Sequence, residues 1–182
     1  MSDVDYIKSK LGVYPGFPKE GITFLDIFPI LRDPIATEAL MTHFMNHLFT
    51  KTLPQNGNKV DVIVGLDARG FLLGPLIAAR LGAAFVPVRK RGKLPGQCHV
   101  ASYEKEYGVD EFEIQADAIK PGQTVVVVDD LIATGGSAAA AGELISKCGG
   151  KTLEYLFIVG LGFLNGDKKL DAPSYWIVEG ED

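Results

Sequence analysis

Residues 124–130, TVVVVDD, form an apolar run that ends on two adjacent aspartates. The small, glycine-bearing segment ATGGSAAAAG follows at residues 133–142. Four consecutive β-branched residues are typical of a strand that is buried on both faces, and such strands occur mainly in parallel sheets covered by helices. The run therefore restricts this part of the chain to an α/β fold.

The same alternation of apolar runs and helical patterns extends along most of the chain. Strands are predicted at residues 60–66, 83–90, 124–130, 152–161 and 174–178, and helices at 70–82 and 136–149. The pair Asp33-Pro34 predicts the start of another helix, which continues to about residue 51. The 182 residues suit a single domain over residues 1–182, so we expect one doubly wound, mainly parallel sheet with helices on both faces.

Two segments do not fit this alternation. Residues 12–30, GVYPGFPKEGITFLDIFPI, mix prolines and glycines with aromatic residues, which predicts an ordered covering loop, or small N-terminal hood, rather than one regular element. Residues 102–115, SYEKEYGVDEFEIQ, alternate around Gly108 and predict an exposed hairpin inserted between core strands.

Composition excludes several classes of partner. A formal net charge of −5 disfavours non-specific binding of nucleic acid or of a membrane surface, which needs a broad basic face. Cys98 and Cys148 are isolated, and the charged N-terminal segment MSDVDYIKSK lacks the apolar core of a signal peptide. These features predict a cytoplasmic protein.

In a doubly wound sheet, ligands bind at the carboxyl ends of the strands, and three predicted strand ends carry polar groups. The turn Ala133, Thr134, Gly135, Gly136 and Ser137 opens a helix, whose first backbone N–H groups favour a phosphate. Carboxylates repel phosphate, so Asp129 and Asp130 suit sugar hydroxyls or a bound cation instead.

The two remaining strand ends supply positive charge. The turn GLDARG at residues 65–70 presents Arg69, and RKRGKLPG at residues 89–96 has four cations in its first five positions. A solvated charge run is the alternative for the second segment. Taken together, the three ends favour a sugar that carries phosphates at two separate positions.

The residues quoted so far resemble a known family. VVVVDDLIATGGS is similar to the phosphoribosyl diphosphate (PRPP) signature of type I phosphoribosyltransferases. The segments YPGFPKEGITFLDI, VGLDARGFLLGP, VPVRKRGKLPG, EYG and IKPGQ resemble the adenine phosphoribosyltransferases within that family, in the same order along the chain. The resemblance implies the reaction of adenine with PRPP to give AMP and diphosphate, with Mg²⁺ bound through PRPP.

The resemblance also implies roles for individual residues. The 5′-phosphate would bind Ala133 through Ser137, and the ribose hydroxyls would bind Asp129 and Asp130. Glu106 and Tyr107 would be catalytic residues on a mobile loop spanning about residues 92–115. The remaining implied contacts are Asp67, Ala68, Arg69, Arg89 and Lys93 for diphosphate, and Thr23, Phe24, Leu25 and Leu161 for adenine. A homodimer is implied as well.

Three positions differ from the family pattern. Leu25 stands where the resemblance leads us to expect arginine, Ala68 where serine is expected, and Gly160 where glutamate is expected. These differences leave two alternatives open. One is a phosphoribosyltransferase for hypoxanthine, guanine or xanthine, and the other is a catalytically weak, regulatory module that binds PRPP or a nucleotide.

Overall fold

The computed structural model describes residues 2–105 and 108–180. The chain divides into two compact units, and the boundary lies between residues 47 and 48. Unit 1 contains α1 (Asp3–Lys10), β1 (Gly12–Pro15), β2 (Thr23–Asp26), α2 (Phe28–Leu31) and α3 (Pro34–His47). Unit 2 begins with a π-helical turn (Leu48–Thr52) and α4 (Leu53–Gln55). It continues with β3 (Val62–Leu66), α5 (Gly70–Leu81), β4 (Ala84–Lys90), β5 (Cys98–Glu104), β6 (Val109–Gln115), β7 (Thr124–Ile132), α6 (Gly136–Lys147), β8 (Lys151–Gly160), 3₁₀ turns at Gly162–Leu164 and Gly166–Lys169, and β9 (Ser174–Glu179).

Capping residues start helices α1 and α3 of unit 1. The Ser2 hydroxyl accepts the N–H of Asp5, and the Asp5 carboxylate accepts the N–H of Ser2, which forms a capping box at α1. Asp33 accepts the N–H groups of Ile35 and Ala36 at 3.0 and 3.2 Å, so it caps α3 as its position before Pro34 predicts.

The expected covering loop is only partly a loop. Strands β1 and β2 pair antiparallel from Gly12↔Asp26 to Pro15↔Thr23, and the short helix α2 follows. The β-branched and aromatic residues of ITFLD suit a short strand, but the surrounding prolines and glycines conceal that signal in the sequence.

The predicted sheet of unit 2 is confirmed. Its order is β5-β6-β4-β3-β7-β8-β9, and β4, β3, β7, β8 and β9 pair in parallel, whereas β6 pairs antiparallel with both β4 and β5. The chain moves outward from β3 through α5 to β4 and in the opposite direction from β7 through α6 to β8. Right-handed crossovers therefore place α5 and α6 on opposite faces of the sheet.

The core reflects this arrangement. Val125 and Val127 of β7 pack in one cluster with Ala141 and Leu144 of α6, whereas Gly65 and Gly70 bring α5 close to the other face. All four valines 125–128 are fully buried, as expected for a strand covered on both sides.

The structure corrects two boundaries that affect the site. Strand β7 does not end at residue 130 but continues to Ile132, because Leu131 and Ile132 still pair with β8. The hairpin predicted at 102–115 begins earlier, at Cys98, and it is not simply an exposed insertion. Its strand β6 joins the edge of the sheet beside β4, and Phe112 and Ile114 are buried.

Among the helices in the described part of the chain, none has both the length and the apolar character that crossing a membrane requires.

Candidate functional site

The two aspartates lie near the carboxyl end of β7 in different environments. Asp130 is buried, with 5% of its surface exposed, and its Oδ2 atom lies 2.6 Å from Nε of Arg69. Asp129 is half-buried, and its Oδ1 atom accepts the N–H of Asp130 at 2.9 Å. Burial, followed by the neighbouring Asp130 charge, raises the pKa of Asp129 well above its ordinary value.

The turn after β7 is shaped by a close backbone contact. Gly135 adopts a positive φ of 78°, and a Cβ atom at this position would overlap the carbonyl oxygen of Gly166. Helix α6 begins at Gly136, and the first N–H groups of a helix have no intrahelical acceptor. Thr134 is exposed and Ser137 half-buried, so N–H and hydroxyl donors meet at one end of α6. Such a group of donors suits a phosphate.

Two ion pairs join the ends of β7, β3 and β4. Arg69, which precedes α5, pairs with Asp130, and Nε of Arg89, near the end of β4, lies 2.9 Å from Oδ2 of Asp67. The N–H of Asp67 donates to the carbonyl of Val88 at 2.9 Å, and the peptide bond between Asp67 and Ala68 is cis. The three polar strand ends predicted from the sequence therefore lie side by side.

The basic segment after β4 forms a turn across residues 91–94. Lys93 is exposed, and its carbonyl oxygen lies 3.4 Å from Nη1 of Arg89. Its N–H and that of Leu94 donate to the buried carboxylate of Glu113 at 2.8 and 2.7 Å. Lys93 is thus held next to Arg89 by contacts of its backbone.

Leu161 lies at the same edge of the sheet. It follows β8, and its N–H donates to the carbonyl of Ile132 at 2.9 Å. A Cβ atom at the preceding Gly160 would overlap the indole ring of Trp176, which explains why a larger residue does not fit here. The Glu179 carboxylate accepts the indole N–H of Trp176 at 2.6 Å and the N–H of Gly162 at 2.9 Å.

The other predicted site residues lie in β2 or outside the described residues. Thr23, Phe24 and Leu25 form β2 of unit 1, where Leu25 pairs with Val13 and the Phe24 ring contacts the Phe17 ring edge-on at 5.2 Å. Glu106 and Tyr107 lie outside the described residues, so their predicted roles remain predictions.

Sequence reasoning missed several residues at the site. Tyr103 of β5 lies near Gly136, and burial and the charges of Asp110 and Asp129 raise the pKa of Tyr103 to about 12. Gly166 belongs to a segment, GLGFLNG, whose glycines resemble an ordinary turn. Glu113 lies in an alternating pattern that predicts an exposed side chain. The structure shows instead that Glu113 is buried and accepts hydrogen bonds from the N–H groups of the turn at residues 91–94.

The described residues do not form a metal site in which side chains alone supply all the ligands. Within residues 2–105 and 108–180, no group of three or more His, Cys, Asp or Glu side chains is placed to hold a metal ion. One or two carboxylates are nevertheless enough for Mg²⁺ that arrives with a phosphate ligand and keeps several waters. Asp129 and Asp130 fit that arrangement.

Comparison with known proteins identifies the family. The model of the phosphoribosyl transferase domain matches residues 36–180. A curated adenine phosphoribosyltransferase of Yarrowia lipolytica is 56% identical over 176 residues, which cover 97% of this chain and 95% of that protein. A crystal structure of the Saccharomyces cerevisiae adenine phosphoribosyltransferase, complexed with D-2,5-dideoxy-2,5-imino-altritol 1,6-bisphosphate and adenine, superposes with a TM-score of 0.92 at 52% identity, covering 97% of this chain and 98% of that one.

A more distant structure has the same fold. The Trypanosoma brucei enzyme, in complex with AMP, pyrophosphate and ribose-5-phosphate, has a TM-score of 0.82 at 26% identity, covering 97% of this chain and 80% of that one. The two close matches, at 56% and 52% identity, each cover 97% of this chain. The chain therefore belongs to the phosphoribosyltransferase family and, within it, to the adenine phosphoribosyltransferases.

Proposed function

We propose that this chain transfers the 5-phosphoribosyl group of PRPP to adenine, which yields AMP and diphosphate and serves purine salvage. The observation that carries the proposal is the adjacency of three strand ends. A donor-lined helix start, an acidic pair and two arginines meet where a sugar with two phosphate positions would need them. The ligands named for the yeast and trypanosome structures, adenine, AMP, pyrophosphate and ribose-5-phosphate, are the chemistry that such a site would handle.

Each part of PRPP has a proposed partner. The turn from Ala133 to Ser137 would bind the 5′-phosphate through backbone N–H groups and the hydroxyls of Thr134 and Ser137. Asp129 and Asp130 would accept hydrogen bonds from the ribose hydroxyls. Diphosphate would bind the backbone of the turn at residues 67–69 and the side chains of Arg69, Arg89 and Lys93.

The charges are arranged for the bond that breaks. As the C1′–oxygen bond lengthens, its electron pair leaves with diphosphate and positive charge develops on the sugar. Arg69 and Arg89 stabilise the departing negative charge, and the acidic pair stabilises the sugar. Losing one well-placed donor of this kind typically costs about 3 kcal/mol of transition-state stabilisation. Bound with PRPP, Mg²⁺ would add positive charge to the leaving group.

Two arginines of the site form ion pairs with two aspartates. Arg69 pairs with Asp130, and Arg89 pairs with Asp67. The diphosphate and the ribose hydroxyls compete for these same groups. We therefore infer that PRPP rearranges or shares both ion pairs when it binds.

The adenine contacts and the proton transfer rest on the resemblance. Thr23, Phe24 and Leu25 of unit 1, and Leu161 of unit 2, are proposed to contact the base. The attacking ring nitrogen of adenine loses a proton as it bonds to C1′. Glu106 is proposed to accept that proton, with Tyr107 beside it on a mobile loop over about residues 92–115.

The cellular setting is also proposed. Composition and the isolated cysteines support action in the cytoplasm.

The family resemblance supports a homodimer. Leu72 and Leu76, which are 41% and 42% exposed on α5 of unit 2, are apolar side chains suited to an interface. Light scattering after size exclusion measures the oligomer, and a monomer at all concentrations would contradict the proposal.

The deciding experiment is an assay of AMP formation from adenine and PRPP, with and without Mg²⁺, alongside hypoxanthine, guanine and xanthine. We expect turnover with adenine and dependence on the metal. Turnover only with another purine would favour the alternative base specificity. PRPP binding by calorimetry without any diphosphate release would favour a regulatory module, which the identity to curated enzymes does not support.

A further inference from the structure

Glu113 of β6 is a buried carboxylate that the proposed mechanism does not use. Only 5% of its surface is exposed. Its Oε1 atom accepts two backbone hydrogen bonds, from Lys93 at 2.8 Å and from Leu94 at 2.7 Å. One side chain therefore fixes the turn that carries the basic residues after β4.

The position of Glu113 in the sheet links it to Arg89. Strands β4 and β6 are antiparallel, and Arg89 is the direct partner of Glu113 across them. The Arg89 side chain reaches Asp67 at 2.9 Å and the carbonyl of Lys93 at 3.4 Å. The turn is consequently held from two sides, with its N–H groups on Glu113 and one carbonyl on Arg89.

The electrostatics show that Glu113 is suited to this position as an anion. Burial alone would raise its pKa, but the backbone N–H groups of Leu94, Gly92 and Lys93 outweigh that effect and lower the pKa. The carboxylate thus stays ionised at neutral pH. Its removal would leave two N–H groups of the turn without their present acceptor, and hydrogen bonds to a charged group are among the stronger ones.

We propose that Glu113 is a positioning residue for diphosphate: it holds the turn at residues 91–94 so that Lys93 and Arg89 face the leaving group. Glu113 does not bind diphosphate itself, because its carboxylate carries the same sign of charge and is already occupied by N–H donors. This inference rests on the proposed assignment of Arg89 and Lys93 to diphosphate.

The test compares Glu113→Ala with Glu111→Ala. Glu111 lies two residues away on the same strand and pairs with Arg91 at 2.8 Å, so the control removes an equal charge without touching the turn's N–H groups. We expect Glu113→Ala to raise the KM for PRPP and the inhibition constant of diphosphate by about tenfold, because charged hydrogen bonds to the backbone are lost. The KM for adenine should change less than about twofold, and Glu111→Ala should resemble the wild type.

Two further variants, Lys93→Ala and Arg89→Ala, separate a failure of the diphosphate assignment from a failure of the positioning role. Lys93→Ala tests the assignment of diphosphate, and an unchanged PRPP KM in both Lys93→Ala and Arg89→Ala would contradict that assignment, whatever Glu113 does. If these variants weaken PRPP binding but a folded Glu113→Ala does not, the positioning role is wrong. An equal rise of both KM values together with a lowered melting temperature would show general destabilisation and would likewise overturn it.

Glu113→Asp decides the question if the alanine variant does not fold. It keeps the charge but is one methylene shorter, so it cannot hold both N–H groups at their present distances. We expect the KM for PRPP to rise about threefold with little change in the KM for adenine. A PRPP KM equal to that of the wild type in Glu113→Asp would overturn the proposal.

Discussion

The carboxyl group of Asp129 links stability to function at the scale of one residue. Burial and the charge of Asp130 raise its pKa in the folded protein above the ordinary value of 3.8. The folded state therefore holds this proton at pH values where the unfolded chain has lost it. Through this group, the free energy of unfolding falls as the pH rises from 3.8 through the folded-state pKa.

Asp129→Asn removes that unfavourable ionisation. We expect its melting temperature to exceed that of the wild type at about pH 8, and the difference to shrink towards about pH 4. Calorimetric scans across this range measure the effect. A variant that is less stable than the wild type by the same amount at every pH would contradict the argument.

Asp61 provides a control, because its pKa is lowered in the folded protein and its effect on stability changes with pH in the opposite direction. A hydrogen bond from Lys59, with others from Thr124, lowers the pKa of Asp61 to about 2. Its contribution is present above 3.8 and is lost as the pH falls towards 2. Asp61→Asn should therefore lower the melting temperature at neutral pH, and this loss should disappear in acid.

The same Asp129→Asn variant should bind PRPP poorly. Losing a charged acceptor for the ribose hydroxyls is expected to raise the KM for PRPP about tenfold or more, although the fold is at least as stable. Steady-state kinetics with PRPP as the varied substrate measure this. Normal PRPP kinetics in both Asp129→Asn and Asp130→Asn would contradict the ribose assignment.

At the scale of elements, the turn between β7 and α6 depends on two glycines in contact. Gly135 has φ of 78° and lies against Gly166, whereas Gly122 has φ of 84° with open space where a Cβ would be. Both Gly→Ala variants should lose about 1–2 kcal/mol of stability from the left-handed backbone alone. Gly135→Ala should lose more than Gly122→Ala and also much of its PRPP affinity. Equal losses of stability in the two variants would show that the contact with Gly166 contributes nothing.

Strands β8 and β9 are matched in a similar way. Gly160 leaves space that Trp176 fills, so Gly160→Ala alone should destabilise the protein through overpacking, by about 1–3 kcal/mol. The double variant Gly160→Ala, Trp176→Leu should lose less than the sum of the two single variants, because the smaller side chain makes room. Denaturant unfolding of the four proteins measures the coupling, and additive losses would contradict this explanation of the glycine.

The strands of the unit 2 sheet differ in how extensively they pair with their neighbours. Within the described residues, the register of β4 and β6 comprises two pairs, Arg89↔Glu113 and Lys90↔Phe112, whereas β7 is paired along both sides and largely buried. In hydrogen exchange, we expect amides of β3, β7 and β8 to be slower than those of the edge strand β5. PRPP should slow exchange in the hairpin of β5 and β6. Exchange in the hairpin that PRPP leaves unchanged would contradict a role for it in closing the site.

The sequence by itself determined the fold class, and it predicted most residues of the candidate site. Buried β-branched runs identified the parallel strands, and the ends of those runs pointed to Asp129, Asp130, Arg69 and the turn at residues 133–137, which the structure places side by side. These signals are local, because a buried strand and a helix start are each marked by residues that are neighbours along the chain.

Only the tertiary structure decided which groups touch. Three contacts join residues that are far apart in sequence: the pairing of Arg69 with Asp130, the approach of Gly135 to Gly166, and the packing of Trp176 beside Gly160. Glu113 shows the reason most clearly. Strand periodicity predicts which face a side chain occupies, but whether a distant turn covers that face depends on the packing of the whole unit.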